Sequence, residues 1–160
     1  MAEAIDASDA EFGHRSDEIV GTWRLVSASS TISNGERCET PYGLNPVGLL
    51  TYTAGGRVTA LISYGERKPL SFGGGIMSSP VEEQAEAFKT FLAYAGRYTL
   101  RGDKVTHHIE ISSIQNYVDK DLVRSVRFHG DRIILVTPPT LVNGKIQTLE
   151  LIWQRLPVGS

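Results

Sequence analysis

The sequence predicts an all-β protein, an up-and-down antiparallel barrel of about eight strands. Two observations predict it. Five dipeptides able to take the positive φ values of a tight hairpin punctuate the chain: Asn34-Gly35, Gly55-Gly56, Gly102-Asp103, Gly130-Asp131 and Asn143-Gly144. Runs rich in β-branched and aromatic residues flank most of them. A meander of this kind has two raw edges, and closing the sheet on itself removes both. A closed barrel of about eight strands encloses a space for one small ligand, so function is expected inside it.

The elements follow in order. Residues 1–17 mix Asp, Glu, Ala and Ser with no basic start and no apolar run, which predicts a disordered polar leader and not a signal peptide. One barrel domain then covers residues 18–157. The first strand is expected over residues 19–32, followed by the Asn-Gly turn and a Pro/Gly-rich connection reached through residues 38–42. Residues 47–53 and 57–64 form the clearest hairpin.

Residues 65–79 read as a long flexible loop, with Gly73-Gly74-Gly75 as its hinge. A helix follows, with Ser79 as N-cap, Pro80 at the first helical position and Glu82 in a capping box. Ala85, Phe88, Leu92 and Ala95 recur at helical spacing, Phe91 widens the stripe, and Gly96 can end it. Residues 65–95 are therefore expected to cover one barrel mouth. Strands resume over residues 97–101, 104–112, 122–128, 132–137 and 145–156, with a polar connection at 113–121 that holds Asn116 and Tyr117.

Alternation along each strand sorts side chains onto two faces, and the more apolar face should line the interior. His107 shares a phase with Val105, Ile109 and Ile111 and is expected inside, with His108 outside. Arg124 shares a phase with Val126 and Phe128. Tyr98 aligns with Tyr94 and Leu100, Tyr52 with Leu50, and Tyr64 with Val58, Ala60 and Ile62. A buried Arg or His costs several kcal/mol without a partner. Tyrosine hydroxyls, Asn116, water or a ligand oxygen must then compensate them.

Charge and motifs exclude several classes. The net charge of −2 comes with scattered Lys and Arg, so neither nucleic acid nor membrane is an expected partner. No apolar stretch approaches the ~20 residues that span a bilayer. A homodimer is compatible with this composition. The lone Cys38 rules out an internal disulfide framework and a cysteine-rich zinc site, and a reducing cytoplasm fits best. Adjacent His107 and His108 face opposite ways on a strand and do not easily share one ion, so no metal and no other cofactor is expected. The triple glycine lacks the Gly-Lys-Ser/Thr ending of a phosphate loop, and no Gly-x-Ser-x-Gly elbow is present. Glu82 and Glu83 belong to a solvated helix face, while Glu110 and Glu150 fall in outward phases, so no carboxylate dyad is seen.

Gly21-Thr22-Trp23 on the first strand with Arg155 on the last resembles the lipocalin and calycin pattern, in which an arginine from the final strand packs on a tryptophan near the closed end. A wider pattern resembles the bacterial and fungal lipocalin-like domain family. It comprises Gly21-Thr22-Trp23-Arg24-Leu25-Val26-Ser27, Pro41-Tyr42-Gly43, Pro46-Val47-Gly48, Tyr52, Tyr94-Ala95-Gly96-Arg97-Tyr98, Val105-Thr106-His107-His108 and Arg124. That resemblance covers nearly all of residues 18–156 and implies a lipocalin-like barrel. It also implies a tie to natural-product biosynthesis, since some members sit with such genes.

The leading expectation is a binder of one small, partly apolar, oxygenated molecule, a natural-product intermediate among the implied ligands. Tyr52, Tyr64, Tyr94, Asn116, Val126 and Phe128 are the expected ligand-binding residues. The alternative is a cofactor-free isomerase, cyclase or dehydratase on the same pocket. There His107 moves a proton, and Arg124 with Tyr98 (or Tyr52) stabilises the developing oxyanion. A third class, a structural or interaction protein, requires a barrel plugged by its own side chains.

Overall fold

A computed structural model describes residues 16–71 and 78–159. Ten antiparallel strands form one sheet: β1 (Gly21–Ile32), β2 (Arg37–Cys38), β3 (Val47–Tyr52), β4 (Arg57–Ser63), β5 (Phe91–Arg101), β6 (Lys104–Ser112), β7 (Asp121–His129), β8 (Arg132–Val136), β9 (Thr140–Val142) and β10 (Lys145–Arg155). Eight of them, in the order β1-β3-β4-β5-β6-β7-β8-β10, close through β1–β10 pairing into a barrel, and the short β2 and β9 extend it at its flanks. Each expected turn holds a positive-φ glycine: Gly35, Gly56, Gly102, Gly130 and Gly144.

The two ends of the barrel differ. At one end the hairpin turns are tight and the interior is solid, built on Ile19, Trp23, Tyr52, Val58, Val105 and Ile133, each at most 1% exposed. At the other, the connections 33–46, 64–71, 78–80, 113–120 and 137–139 leave a mouth. Residues 16–19 are helical and not the start of β1, and Ile19 caps the solid end while its carbonyl accepts the Trp23 indole N–H at 3.0 Å. The leader assigned to residues 1–17 lies almost wholly outside the described residues, as does the Gly73-Gly74-Gly75 hinge.

Two bulges correct the strand phases. Val26 is extra in β1, between Leu25 and Ser27, and shifts the inward set from Trp23 and Leu25 to Ala28 and Ser30. Glu110 is extra in β6, opposite the Ala95/Gly96 step, so Ile111, expected inside with His107, turns outward and is 67% exposed. Gly96 is required there: a Cβ on it would lie 1.9 Å from the His108 carbonyl oxygen. Glu110, pushed outside, pairs with Arg57 at 2.7 Å and with Arg97 at 3.3 Å.

The helix is shorter than its apolar spacing suggests. α1 spans Val81–Lys89 and stops where Phe91 begins β5. Leu92 fits a helical stripe with Phe88, but it also fits a period-two series with Tyr94, Gly96 and Tyr98. Strand wins because β5 is paired on both sides, by β4 and β6, and buries Tyr94. The N-cap residue is Pro80, extended at φ −52° and ψ 145°, with no side-chain cap, so neither Ser79 nor Glu82 plays its expected role. Instead the Glu83 carboxylate accepts the Ser71 backbone N–H at 2.9 Å and ties the preceding loop to the helix.

Candidate functional site

The mouth opens into a cavity of about 620 Å³. Its wall is mostly aromatic and aliphatic, with Tyr42, Tyr64, Phe88, Phe91, Tyr117 and Leu149 among its residues. Tyr42 and Tyr64 meet edge to face at 5.3 Å between ring centroids. Beneath lies a second chamber of about 40 Å³, bordered by Tyr94, His107 and Trp153. Tyr42, Leu92, Arg124, Thr137 and Leu149 border both spaces, so the small chamber is the floor of the large one. Forty cubic ångströms exceeds the roughly 10 to 15 Å³ that one water needs, so the chamber has room for a small polar group.

His107 is 1% exposed and held between two tyrosines. Tyr52, on β3, places its hydroxyl 2.7 Å from Nε2, and Tyr94, on β5, places its hydroxyl 2.9 Å from Nδ1. Alternation explains the convergence: Tyr52, Tyr94 and His107 are all inward residues on three strands that curve around the same axis. Burial, with help from the Arg124 cation and from His108, pulls the imidazole down from 6.5 to about 3. Burial also holds Tyr52 well above the ordinary phenol value and raises Tyr94, although Arg124 opposes both shifts. Tyr42 is pushed up to about 12, by burial first and Tyr64 second. The floor is therefore a neutral hydrogen-bonded triad with one cation, Arg124, at its rim.

Arg124 is half-buried, and its Nη1 donates to the Val123 carbonyl at 2.9 Å. Tyr64 walls the outer cavity, while Tyr52 stands behind His107 and borders neither chamber. The ligand contact expected of Tyr52 is thus corrected, and three more expectations need correction. Tyr98 faces inward but at the solid end, edge-on to Tyr52 at 4.8 Å, with its hydroxyl donated to the Thr53 carbonyl at 2.9 Å, so it reaches no reacting group in the cavity. Val126 and Phe128 pack into the closed half and line neither chamber. Asn116 is exposed on the 3₁₀ turn Gln115–Tyr117, and its neighbour Tyr117 reaches the cavity instead.

The residues that sequence reading missed, Tyr42, Ile114, Tyr117 and Pro138, come from irregular connections where no period marks a face. Phe91 was visible only as part of a helical stripe. His108 faces outward, bonded to Asp121 at 2.7 Å and Thr99 at 3.1 Å. Among the described residues no three His, Cys, Asp or Glu side chains gather as a metal site would need, and no helix is long and apolar enough to cross a membrane.

At the solid end Arg155 lies over the Trp23 ring, the contact expected of the barrel's closing strands. Residues 20–156 match the lipocalin-like domain as a family. The chain belongs to that family. This lipocalin-like domain is also 33% identical, over 90 residues, to the 4'-hydroxy-3'-methoxypropiophenone carrier protein of Aspergillus oryzae, a match spanning 51% of this chain and 81% of that protein. Among solved structures, a lipocalin-like protein from Bacteroides uniformis matches at 12% identity with a TM-score of 0.44, over 87% of this chain and 99% of that one. An uncharacterized protein from Bacteroides eggerthii matches at 10% identity with a TM-score of 0.41, over 86% and 99%.

Proposed function

We propose that this lipocalin-like domain holds one small aromatic ketone, or a closely related oxygenated molecule, inside its barrel as a carrier. The observation that carries this reading is the two-part hollow: an outer space of about 620 Å³ walled by rings, narrowing onto a largely aliphatic floor that holds Tyr94, His107 and Arg124. That volume falls in the range of small-molecule sites, roughly 300 to 1,000 Å³. The name of the Aspergillus oryzae relative specifies a benzene ring with a phenol, a methoxy group and a short-chain ketone. A flat, oxygenated ring suits Tyr42, Tyr64, Phe91 and Tyr117, and Arg124 at the rim of the floor suits its oxygens. We place the protein in the cytoplasm, where the exposed Cys38 stays reduced.

The enzymatic alternative asks His107 to move a proton. A general acid or base works best with a pKa near the working pH. This imidazole is held near 3, and both its nitrogens are engaged by tyrosines. Retention without conversion fits that chemistry better than isomerisation, cyclisation or dehydration.

Titration calorimetry with 4'-hydroxy-3'-methoxypropiophenone, followed by mass spectrometry of the incubated mixture, tests the reading. One-to-one binding with the ketone recovered unchanged is the expected result. Conversion of the ketone would transfer the function to the enzymatic alternative, and absence of binding would remove aryl ketones as the ligand class.

A further inference from the structure

We propose that Tyr52, His107 and Tyr94 form a directed hydrogen-bond relay, proton on Nδ1 of His107, which turns the Tyr94 hydroxyl into a donor aimed at a ligand carbonyl oxygen in the small inner chamber. This deepens the carrier reading above and rests on it.

The direction follows from counting protons. A neutral imidazole has one N–H and one acceptor nitrogen, so it donates to one tyrosine and accepts from the other. Tyr52 is 1% exposed, borders neither chamber, and has His107 Nε2 as the hydrogen-bond partner of its hydroxyl. With the proton on Nε2, the Tyr52 oxygen would accept and its own O–H would be buried without an acceptor, an arrangement that proteins avoid. With the proton on Nδ1, Tyr52 donates to Nε2 and Nδ1–H donates to the Tyr94 oxygen. The Tyr94 proton is then unspent, and Tyr94 borders the inner chamber.

A second observation is independent of the first. Trp153 borders the same chamber, is 2% exposed, and its buried indole N–H has no acceptor among the described residues. Arg124 borders it too. Tyr42 and Thr137 border it as well, each with a hydroxyl that can donate and accept, and Thr137 already takes the Leu149 N–H on its oxygen at 2.8 Å. Donors thus outnumber acceptors on the residues around the chamber, in a space large enough for a small polar group. An acceptor-only oxygen fits it. A ketone oxygen enters at little desolvation cost, whereas a carboxylate must leave water to sit among Leu50, Ile62, Leu135 and Leu151, with Arg124 alone to offset that cost.

Two measurements test this. In the ligand-free protein, long-range proton–nitrogen NMR of labelled imidazoles should place the His107 proton on Nδ1; a proton on Nε2 overturns the relay. Calorimetry then compares 4'-hydroxy-3'-methoxypropiophenone with 2-methoxy-4-propylphenol, which keeps the ring and chain but lacks the ketone oxygen. The ketone should bind about tenfold more tightly, the value of one well-placed hydrogen bond. That preference should vanish in Tyr94→Phe and shrink in Trp153→Phe, which removes the unpartnered N–H and keeps a smaller aromatic ring in its place. Equal affinity of the two probes for the native protein overturns the inner-chamber donor while leaving the carrier reading intact. Failure of both probes to bind removes aryl ketones as the ligand class and overturns this inference with them.

Discussion

Arg155 lies over the ring of Trp23, its guanidinium carbon 4.1 Å from the ring centroid, and the same group donates to the backbone carbonyls of Val20, at 2.6 Å, and Glu18. One side chain thereby joins the last strand, the first strand and the helical turn before it. A partly desolvated cation over an indole contributes up to about 2 kcal/mol, and hydrogen bonds from a charged donor add about 1.5 to 3. Arg155→Ala is expected to cost about 3 kcal/mol, read as a lower urea midpoint at constant slope. Arg155→Lys lacks the planar fork and should recover less than half of that loss. An unchanged midpoint in both variants would remove this contact from the account of stability.

Gly21 makes the contact possible. Its φ is +138°, and a Cβ on it would lie 2.6 Å from Arg155 Nη1. Gly21→Ala should therefore both strain the backbone, at about 1 to 3 kcal/mol, and displace the guanidinium. In the Arg155→Ala background only the backbone component remains, so the two losses should sum to more than the double variant shows. Strict additivity in urea melts would mean that the two residues do not share a contact.

The neutral His107 makes stability depend on pH. Its folded pKa, about 3, lies below the ordinary 6.5 of the unfolded chain, so the contribution is complete above pH 6.5. As pH falls from there toward 3 the unfolded chain takes up the proton first, and stability is lost, on the order of 5 kcal/mol over the whole window. Between about pH 7.5 and 5 the stability gap between the native protein and His107→Gln should narrow by on the order of 2 kcal/mol. Arg124→Gln removes the second cause of the depression and should weaken this pH sensitivity. A gap that stays constant with pH would show equal protonation of the folded and unfolded chains.

The cover over the mouth is held lightly. α1 contains no buried residue, and Phe88, which borders the cavity, is 50% exposed. It is fastened from outside: Arg67 donates to the Thr90 hydroxyl at 3.2 Å and to the Ala87 carbonyl at 3.3 Å, and lies 5.2 Å from the Phe91 ring centroid. Few buried contacts mean a low free energy of local opening. Hydrogen exchange should therefore be orders of magnitude faster in α1 than in β3 and β4, and faster still in Arg67→Ala, with bound ligand slowing the helix. Equal protection of helix and barrel would mean that the mouth opens only when the whole protein unfolds.

Much of the site could be read from alternation, and the misreadings share one cause. Period two assigned His107, Tyr94, Tyr64 and Arg124 to the interior, and each borders a chamber. The same rule put Tyr98, Val126 and Phe128 on the inner face, but they lie at the solid end. Alternation reports which face a side chain takes and says nothing of its height along the barrel axis. Ile111 was lost to a bulge of one residue, for which a local pattern has no mark. Tyr42 and Tyr117 sit in connections without any period, and only the curvature of the closed sheet carries them over the mouth.

By itself the sequence determined the turns, most of the strands between them, the inward histidine and the tryptophan and arginine that meet across the seam. These are local properties, set by positive-φ residues, by side-chain alternation and by the need of a many-stranded meander to lose its edges. Tertiary structure alone decided that Tyr52 and Tyr94 take opposite nitrogens of His107, that the hollow divides into two chambers, and that the indole N–H of Trp153, which borders the inner one, has no partner among the described residues. Those depend on strand stagger around the barrel and on two single-residue bulges, and stagger is fixed only when the first strand pairs with the last.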